Sequence, residues 1–423
     1  MQKMGVNKKN IYPSQYKNIE NQTNATAVLF GLMLLLVYFC NSSSLSITYG
    51  FSPIVFIIII SSGYSIFKRK TFMINRITLF LFLFLFLFLF ATIFTYISND
   101  NNIETEWRAF VNVIVMFTLA ISAINDIHNA KSIRFIITSY IVSVTILSLI
   151  ILIFRDSYAT IEGKIYIRKS VRFLDSTYMD PNFLAMYICS GALFSFIRSF
   201  IYKKPQQRLM YLAIGIANVI AAFLTGSRSA FLALCLGICF LTVATISNIS
   251  NKKQKIRIII IIFVIIAILF IFLFYFLDAY YIDRFINFDQ YDDASNSDRV
   301  ETWGNGLKIG AISPVFGHGA VLSKNINYNL FNSAYVAHNT YIEFWIQGGS
   351  IGIICIFSVL FIVWKDCMKK KRRILLSVYI GLLFMAIIIA AQWSFSFWTP
   401  MIILIICNNY LNRNKSGELS DII

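Results

Sequence analysis

The sequence predicts an all-α integral membrane protein of about 12 transmembrane helices, with one large extracytoplasmic loop. Three observations lead there. Hydrophobic residues make up 58% of the chain and charged residues 13%, with a mean hydropathy of +0.69; soluble domains carry about 25% charged residues. Apolar runs recur that are long enough to cross about 30 Å of hydrocarbon. Lys and Arg concentrate on alternate segments between those runs, and that sidedness orients a bundle.

Taken in order, the runs lie near 26–46, 50–67, 77–97, 109–125, 134–154, 182–202, 208–225, 229–248, 257–279, 339–364, 374–391 and 396–411. Residues 79–90 read LFLFLFLFLFLF, a period of two that would ordinarily argue for a strand. Here both partners are apolar and the run continues to about 97, so length makes it a membrane helix. Residues 1–25 read as a polar, basic, cytoplasmic segment without a cleavage site, 26–411 as the membrane domain, and 412–423 as a cytoplasmic tail. With the N-terminus inside, the cytoplasmic segments collect 26 Lys/Arg against 5 Asp/Glu, and the outer side 11 against 15. The basic balance is then a topology signal with some attraction for membrane lipid, and no nucleic-acid partner is expected. The 7 cysteines fall in spans or in the cytoplasmic loop 365–373, so no disulfide framework is expected.

Candidate chemistry collects on the outer face. The turn TGSRSAF (225–231) sets Arg228 between two apolar helices, flanked by Ser227 and Ser229. An arginine there is expensive to desolvate, so its plainest use is as an interfacial anchor. The adjoining helix N-terminus and the hydroxyls also make a phosphate cradle. In the long loop 282–338, SDRVETWGNGLKIG reads as a short surface helix capped by Asp298 with Glu301, placing Arg299, Trp303 and Leu307 on one face. Such a helix can simply lie on the bilayer with Trp303 as anchor; the sharper use gives Arg299 a second grip on an anion. The acidic run Asp289, Asp292, Asp293, Asp298 reads as a solvated loop rather than a cation site.

Residues 335–349, YVAHNTYIEFWIQGG, open the tenth span with Asn339, Glu343 and Gln347 each four apart, so they form one polar stripe. His338 heads that stripe, and a titratable group at such a place is a functional candidate. His318, in a Gly-rich turn, is weaker, and His128 falls in a cytoplasmic segment. No acidic pair occupies the first outer loop and no His/Cys ligand cluster occurs, so neither metal nor cofactor is expected.

DPNFLAMY (180–187), TGSRSAFLAL (225–234), SDRVETWGNG (297–306) with PVFGHG (314–319), and AHNTYIEFWIQGGSIGI (337–353) together resemble the bacterial O-antigen ligase and O-antigen/capsule polymerase superfamily. The resemblance covers about residues 170 to 360. It implies a GT-C-like helical architecture in the bacterial inner membrane. It also implies a metal-free, inverting glycosyltransferase whose donor is a glycan on undecaprenyl diphosphate and whose acceptor is a glycan or lipid hydroxyl. On that resemblance Arg228 and Arg299 bind the diphosphate, His338 acts on the acceptor or leaving group, and the active site faces the periplasm or exterior. Ser227, Ser229, Asp180, Asn182, Trp303, Asn339 and Glu343 are the accompanying substrate-binding candidates.

The residue chemistry agrees with these roles. Guanidinium forks pair with phosphate oxygens, and an imidazole can take a hydroxyl proton near neutral pH. An Ile-, Lys- and Asn-rich composition and the modest loop favour a polymerase of lipid-linked repeat units, working beside a flippase and a chain-length regulator. The alternative is a ligase that transfers the glycan to lipid A core. A polysaccharide transporter is disfavoured, because the span interiors hold almost no ionisable residues.

Overall fold

The computed structural model describes residues 25–40, 75–98, 106–153, 180–247, 297–321, 323–333, 335–414 and 417–423, the strands at 159–161 and 164–166, and scattered positions within 60–67 and 251–260. The helices are α1 (Ala25–Cys40), α2 (Arg76–Ser98), α3 (Trp107–Asp126), α4 (Ala130–Ile153), α5 (Pro181–Ile201), α6 (Pro205–Leu224) and α7 (Arg228–Ser247). They continue as α8 (Ser297–Ile312), α9 (Ser323–Phe331), α10 (Thr340–Cys367), α11 (Leu376–Ile388) and α12 (Phe395–Arg413). A short antiparallel ribbon, β1 (Ala159–Ile161) with β2 (Lys164–Tyr166), lies between α4 and α5.

Six of these helices, α2, α4, α5, α6, α7 and α10, are long and apolar enough to cross a membrane by length and composition. Shorter apolar stretches run over Ala25–Leu35 and Phe110–Asp126. Apart from those scattered positions, the runs expected at 50–67 and 257–279 lie outside the described residues, as do the N-terminal segment before residue 25 and the acidic positions 289, 292 and 293. The run expected at 374–391 is a helix of only 13 residues, because Lys370–Leu375 first forms a 3-10 turn.

The alternating stretch of α2 is helical, as its length required. Leu81, Phe84, Phe88 and Ala91 face inward at helical spacing, while Phe82, Leu83, Phe86 and Phe90 are exposed. Since both residue types are apolar, the period of two puts no polar group into either environment. Phe84 stacks on Phe117 of α3 at 4.9 Å and meets Phe344 of α10 edge-on at 5.6 Å.

Short turns join α3 to α4, α5 to α6, α6 to α7 and α10 to α11, so successive helices reverse direction. Basic side chains gather at one end and are tied there by hydrogen bonds. Fully buried Arg198 donates to Tyr211 Oη at 2.8 Å and Thr138 Oγ1 at 2.9 Å, and Arg134 donates to the Asp421 carbonyl at 2.7 Å. At the opposite end lie Asp180, the turn 225–227, and residues 335–340 before α10.

One feature departs from a simple bundle. The helix α10 is interrupted at Gly349, whose φ of 59° and ψ of −161° are not helical. The loop 313–319 enters beside the break. His318 N donates to the Ile346 carbonyl at 2.8 Å and Gly319 N to the Gln347 carbonyl at 3.0 Å. In return Ser350 N donates to the Pro314 carbonyl at 2.8 Å and Ile351 N to the Val315 carbonyl at 3.3 Å. Backbone groups freed by the break are thereby satisfied, the condition for non-helical backbone at membrane depth. At 1.5 Å per residue, Gln347 lies roughly 10 Å along α10 from its start. Only glycine fits the crossing: a Cβ on Gly349 would lie 2.4 Å from the Val315 carbonyl oxygen, and one on Gly317 2.5 Å from the Gln347 carbonyl carbon. The other wall is α2, where Thr95 Oγ1 donates to the His318 carbonyl at 3.0 Å and Thr92 Oγ1 accepts from Ala320 N at 2.9 Å. The uninterrupted span expected at 339–364 is therefore two half-helices clamped by a loop.

Candidate active site

Arg299, Trp303, Gly306 and Gly310 follow at spacings of four, three and four, so they share one face of α8. A Cβ on Gly306 would meet Ile342 Cγ2 at 2.6 Å, and one on Gly310 would meet Trp345 Nε1 at 1.7 Å. The missing side chains let α8 lie directly on α10. Trp303 packs on the apolar cluster of Ile309, Ile342 and Ile346 that seals this contact. Leu307 is 55% exposed and stays out of the contact with α10, which the two glycines make. The helix begins at Ser297, with Asp298 in its first turn.

With α8 so placed, Arg299 acts on His338, which comes just before the cap of α10. His338 has a φ of 47°, in the left-handed region that non-glycine residues seldom occupy. The neighbours on both sides are fixed. Before it, Ala337 N donates to Glu343 Oε1 at 3.2 Å. After it, Asn339 caps α10, its Oδ1 accepting from Tyr341 N at 3.0 Å and Ile342 N at 3.2 Å. Thr340 Oγ1 donates to the Ile389 carbonyl at 2.5 Å, tying the helix start to the end of α11.

The carboxylate of Glu343, 2% exposed, is the hub of this mouth. Ser323 Oγ of α9 also donates to its Oε1, and Gln392 Nε2 donates to its Oε2 at 3.3 Å. Glu343 and Asn339, expected to touch substrate, hold the loop that presents His338; Ser323, Thr340 and Gln392 belong to the same frame and carried no sequence signal beyond their polarity. Gln347, third in the stripe, donates to the Val321 carbonyl at 3.2 Å.

The His338 ring itself is half-buried. Burial first, and then the Arg299 guanidinium, hold its imidazole below the ordinary value, while the Asp180 carboxylate acts in the opposite sense. His338, Arg299 and Asp180 thus form one electrostatic group drawn from three separate parts of the chain. Asp180 reaches it as the N-cap of α5, its Oδ1 accepting from Asn182 N at 2.7 Å with Pro181 in the first helical position. His318 is placed differently: buried at 4% exposure, its Nε2 lies 3.0 Å from the Ile309 carbonyl, so it serves the clamp of the broken helix.

Arg228, Ser227 and Ser229 lie at the same end of the bundle, at the start of α7, which packs chiefly against α11 and α5. The Ser227 carbonyl accepts from Phe231 N at 3.2 Å, opening the helix, and the two serine hydroxyls lie 3.1 Å apart. Arg228 is half-buried, with its Nη1 fully enclosed. A cation fixed at a helix N-terminus, and a second beside a neutral-leaning imidazole, can hold an anion and accept a proton at one membrane edge.

Residues 212–357 match the family model described as O-Antigen ligase. The matched stretch takes in the Arg228 turn, α8, the clamping loop, and both sides of the break in α10. Over this stretch, about a third of its length, the chain is similar to the O-antigen ligase family. No curated protein matches the chain. Asp180 and Asn182 lie before the matched stretch, and Asp180 acts on His338 from the start of α5.

Proposed function

We propose that this protein is a member of the O-antigen ligase and polymerase superfamily, a membrane glycosyltransferase that polymerises undecaprenyl-diphosphate-linked oligosaccharide repeat units at the outer face of the bacterial inner membrane. The observation that carries this reading is the grouping of His338, Arg299 and Asp180 at the mouth of α10, inside or beside the family-matched stretch. His338, neutral at physiological pH, accepts the proton of the acceptor sugar hydroxyl. The hydroxyl oxygen attacks the anomeric carbon from the face opposite the diphosphate. The bond from that carbon to the diphosphate oxygen breaks, and undecaprenyl diphosphate leaves with the electron pair. Arg299 and Arg228 balance the charge that develops on it. Asp180 orients the imidazole, while Glu343 and Asn339 hold its loop. No metal is required in this scheme.

In this reading the basic end of the bundle is cytoplasmic, about twelve spans are arranged in a GT-C-like manner, and a flippase and a chain-length regulator work alongside. The description of the matched family as an O-antigen ligase favours a second reading, in which the acceptor is lipid A core.

The test is a polysaccharide ladder in a deletion strain, with membrane protein levels matched by immunoblot. Arg228→Ala, Arg299→Ala and His338→Ala should each lower turnover by about 100-fold or more, as removal of a charge-stabilising or proton-accepting group does. Arg228→Lys should stay impaired, because an ammonium lacks the fork geometry. Normal ladders from His338→Ala and Arg299→Ala would refute the site. Long lipid-linked chains that never reach lipid A core would identify the ligase instead.

A further inference from the structure

At the basic end, far from the His338 mouth, a cavity of about 720 Å³ opens between the start of α2, the last turns of α10, and the end of α12. Its size falls within the about 300–1,000 Å³ typical of small-molecule sites. Arg76 and Lys365 stand at its rim, on facing helices. One turn deeper on each helix comes an aromatic residue, Phe80 after Arg76 and Phe361 before Lys365, and Ile77 and Ile362 complete an apolar wall. Phe361 is 57% exposed, so this wall is open to the lipid side of the bundle.

The charge balance of the rim is decided by Asp366. Its Oδ1 accepts from Lys369 Nζ at 2.5 Å and lies 3.9 Å from Arg372 Nη1, and its Oδ2 accepts from Asn412 Nδ2 at 3.0 Å. The carboxylate is thus engaged by neighbouring cations on its own segment. Among the described residues neither Arg76 nor Lys365 has an ion pair or a side-chain hydrogen bond. The Nδ2 of Asn409, another lining residue, is a buried donor without a hydrogen-bond partner among them. Two cations and an amide donor without such partners among the described residues, with an apolar wall one turn deeper, reproduce the polarity order of an anionic phospholipid, from phosphate to acyl chain.

We propose that this cavity binds the headgroup of an anionic phospholipid of the surrounding membrane. Its phosphate sits between Arg76 and Lys365, and an acyl chain runs along Phe80 and Phe361. The apolar wall favours a lipid over a soluble phosphate, and the two cations disfavour a zwitterionic headgroup, whose ammonium they repel. Only the placement of this end at a lipid–water boundary is assumed; the proposed glycosyl transfer is not.

The experiment uses the full chain, delipidated in detergent, and native mass spectrometry against phosphatidylglycerol and phosphatidylcholine with identical acyl chains. Phosphatidylglycerol adducts should dominate. Since one cation near a lipid surface contributes about 1 kcal/mol, Arg76→Gln and Lys365→Gln should each weaken binding about fivefold, and the pair about 25-fold. Arg76→Lys should retain binding, and Lys324→Gln, an exposed lysine at the opposite end, should leave it unchanged. Thermal melting identifies folded variants, and the single substitutions decide the matter if the double one unfolds. Equal binding of the two lipids, no effect of either single substitution, or an equal effect of Lys324→Gln would overturn the proposal. Binding of inorganic phosphate alone with the affinity of the lipid would make the occupant a soluble anion and overturn it as well. Loss of lipid binding with a normal ladder would leave the proposed glycosyl transfer untouched.

Discussion

At His338 three influences meet, and each has a sign. Burial and the Arg299 guanidinium favour the neutral imidazole, and Asp180 favours the charged one. A general base works in its neutral form, so activity should fall only below the pH at which His338 gains its proton. The ordinary value is about 6.5, and the acid limb of kcat/KM should lie below it. Asp180→Asn is a clean probe, because asparagine caps a helix as well as aspartate does while removing the charge. With the opposing carboxylate gone, the acid limb should move further down. A pH–rate profile on the purified enzyme checks this, and an upward shift would show that Asp180 does not act on the ring. Glu343 illustrates what polarity alone leaves out. The sequence shows a carboxylate one turn inside a helix mouth; its use as a brace depends on Ser323, Ala337 and Gln392, which are 20 residues before, six before and 49 after it.

On the scale of an element, α10 was legible as an apolar run and not as a broken one. Its mean character does not change across Gly348 and Gly349, and the partners that stabilise the break belong to residues 314–319. Hydropathy reads each segment against lipid, whereas this break exists only because another segment supplies its hydrogen bonds. Paired glycines inside a span were the available signal. Gly349→Ala should be costly: a φ of 59° strains any side chain, and the new Cβ would meet the Val315 carbonyl at 2.4 Å. Together these amount to about 2–6 kcal/mol. Gly304→Ala, where a Cβ meets nothing within 4 Å, should be neutral or stabilise α8 slightly. Melting curves in detergent distinguish the two, and similar midpoints for both variants would mean that the loop yields easily. The site shows the same division. Arg299 and Trp303 were legible as one helical face, but which way that face turned was set by Gly306 and Gly310 against Ile342 and Trp345.

For the molecule as a whole, the positions of the six described helices long enough to cross a membrane follow from apolar length, and the grouping of basic side chains at one end follows from their sequence distribution. Distances between ends do not, and neither does the meeting of Asp180, Arg299 and His338, which lie on three elements far apart in the chain. The proposed orientation makes a direct prediction. After replacement of the native cysteines, Tyr328→Cys in α9 should react in intact cells with a membrane-impermeant maleimide, and Lys370→Cys should react only after permeabilisation. The reverse pattern would turn the proposed active site to the cytoplasm.

The break at Gly349 also bears on how the chain is made. The loop 313–319 leaves the ribosome about thirty residues ahead of Gly349. By the time the second half of α10 emerges, the carbonyls of Pro314 and Val315 and the amides of His318 and Gly319 already exist on the growing chain. A segment with unmet backbone groups would resist release into lipid, at a cost of several kcal/mol for each group. Synthesis in this order supplies the partner first, so the two half-helices can enter the bilayer as a unit with their complement, and the order of the genetic text becomes part of how the helix is inserted.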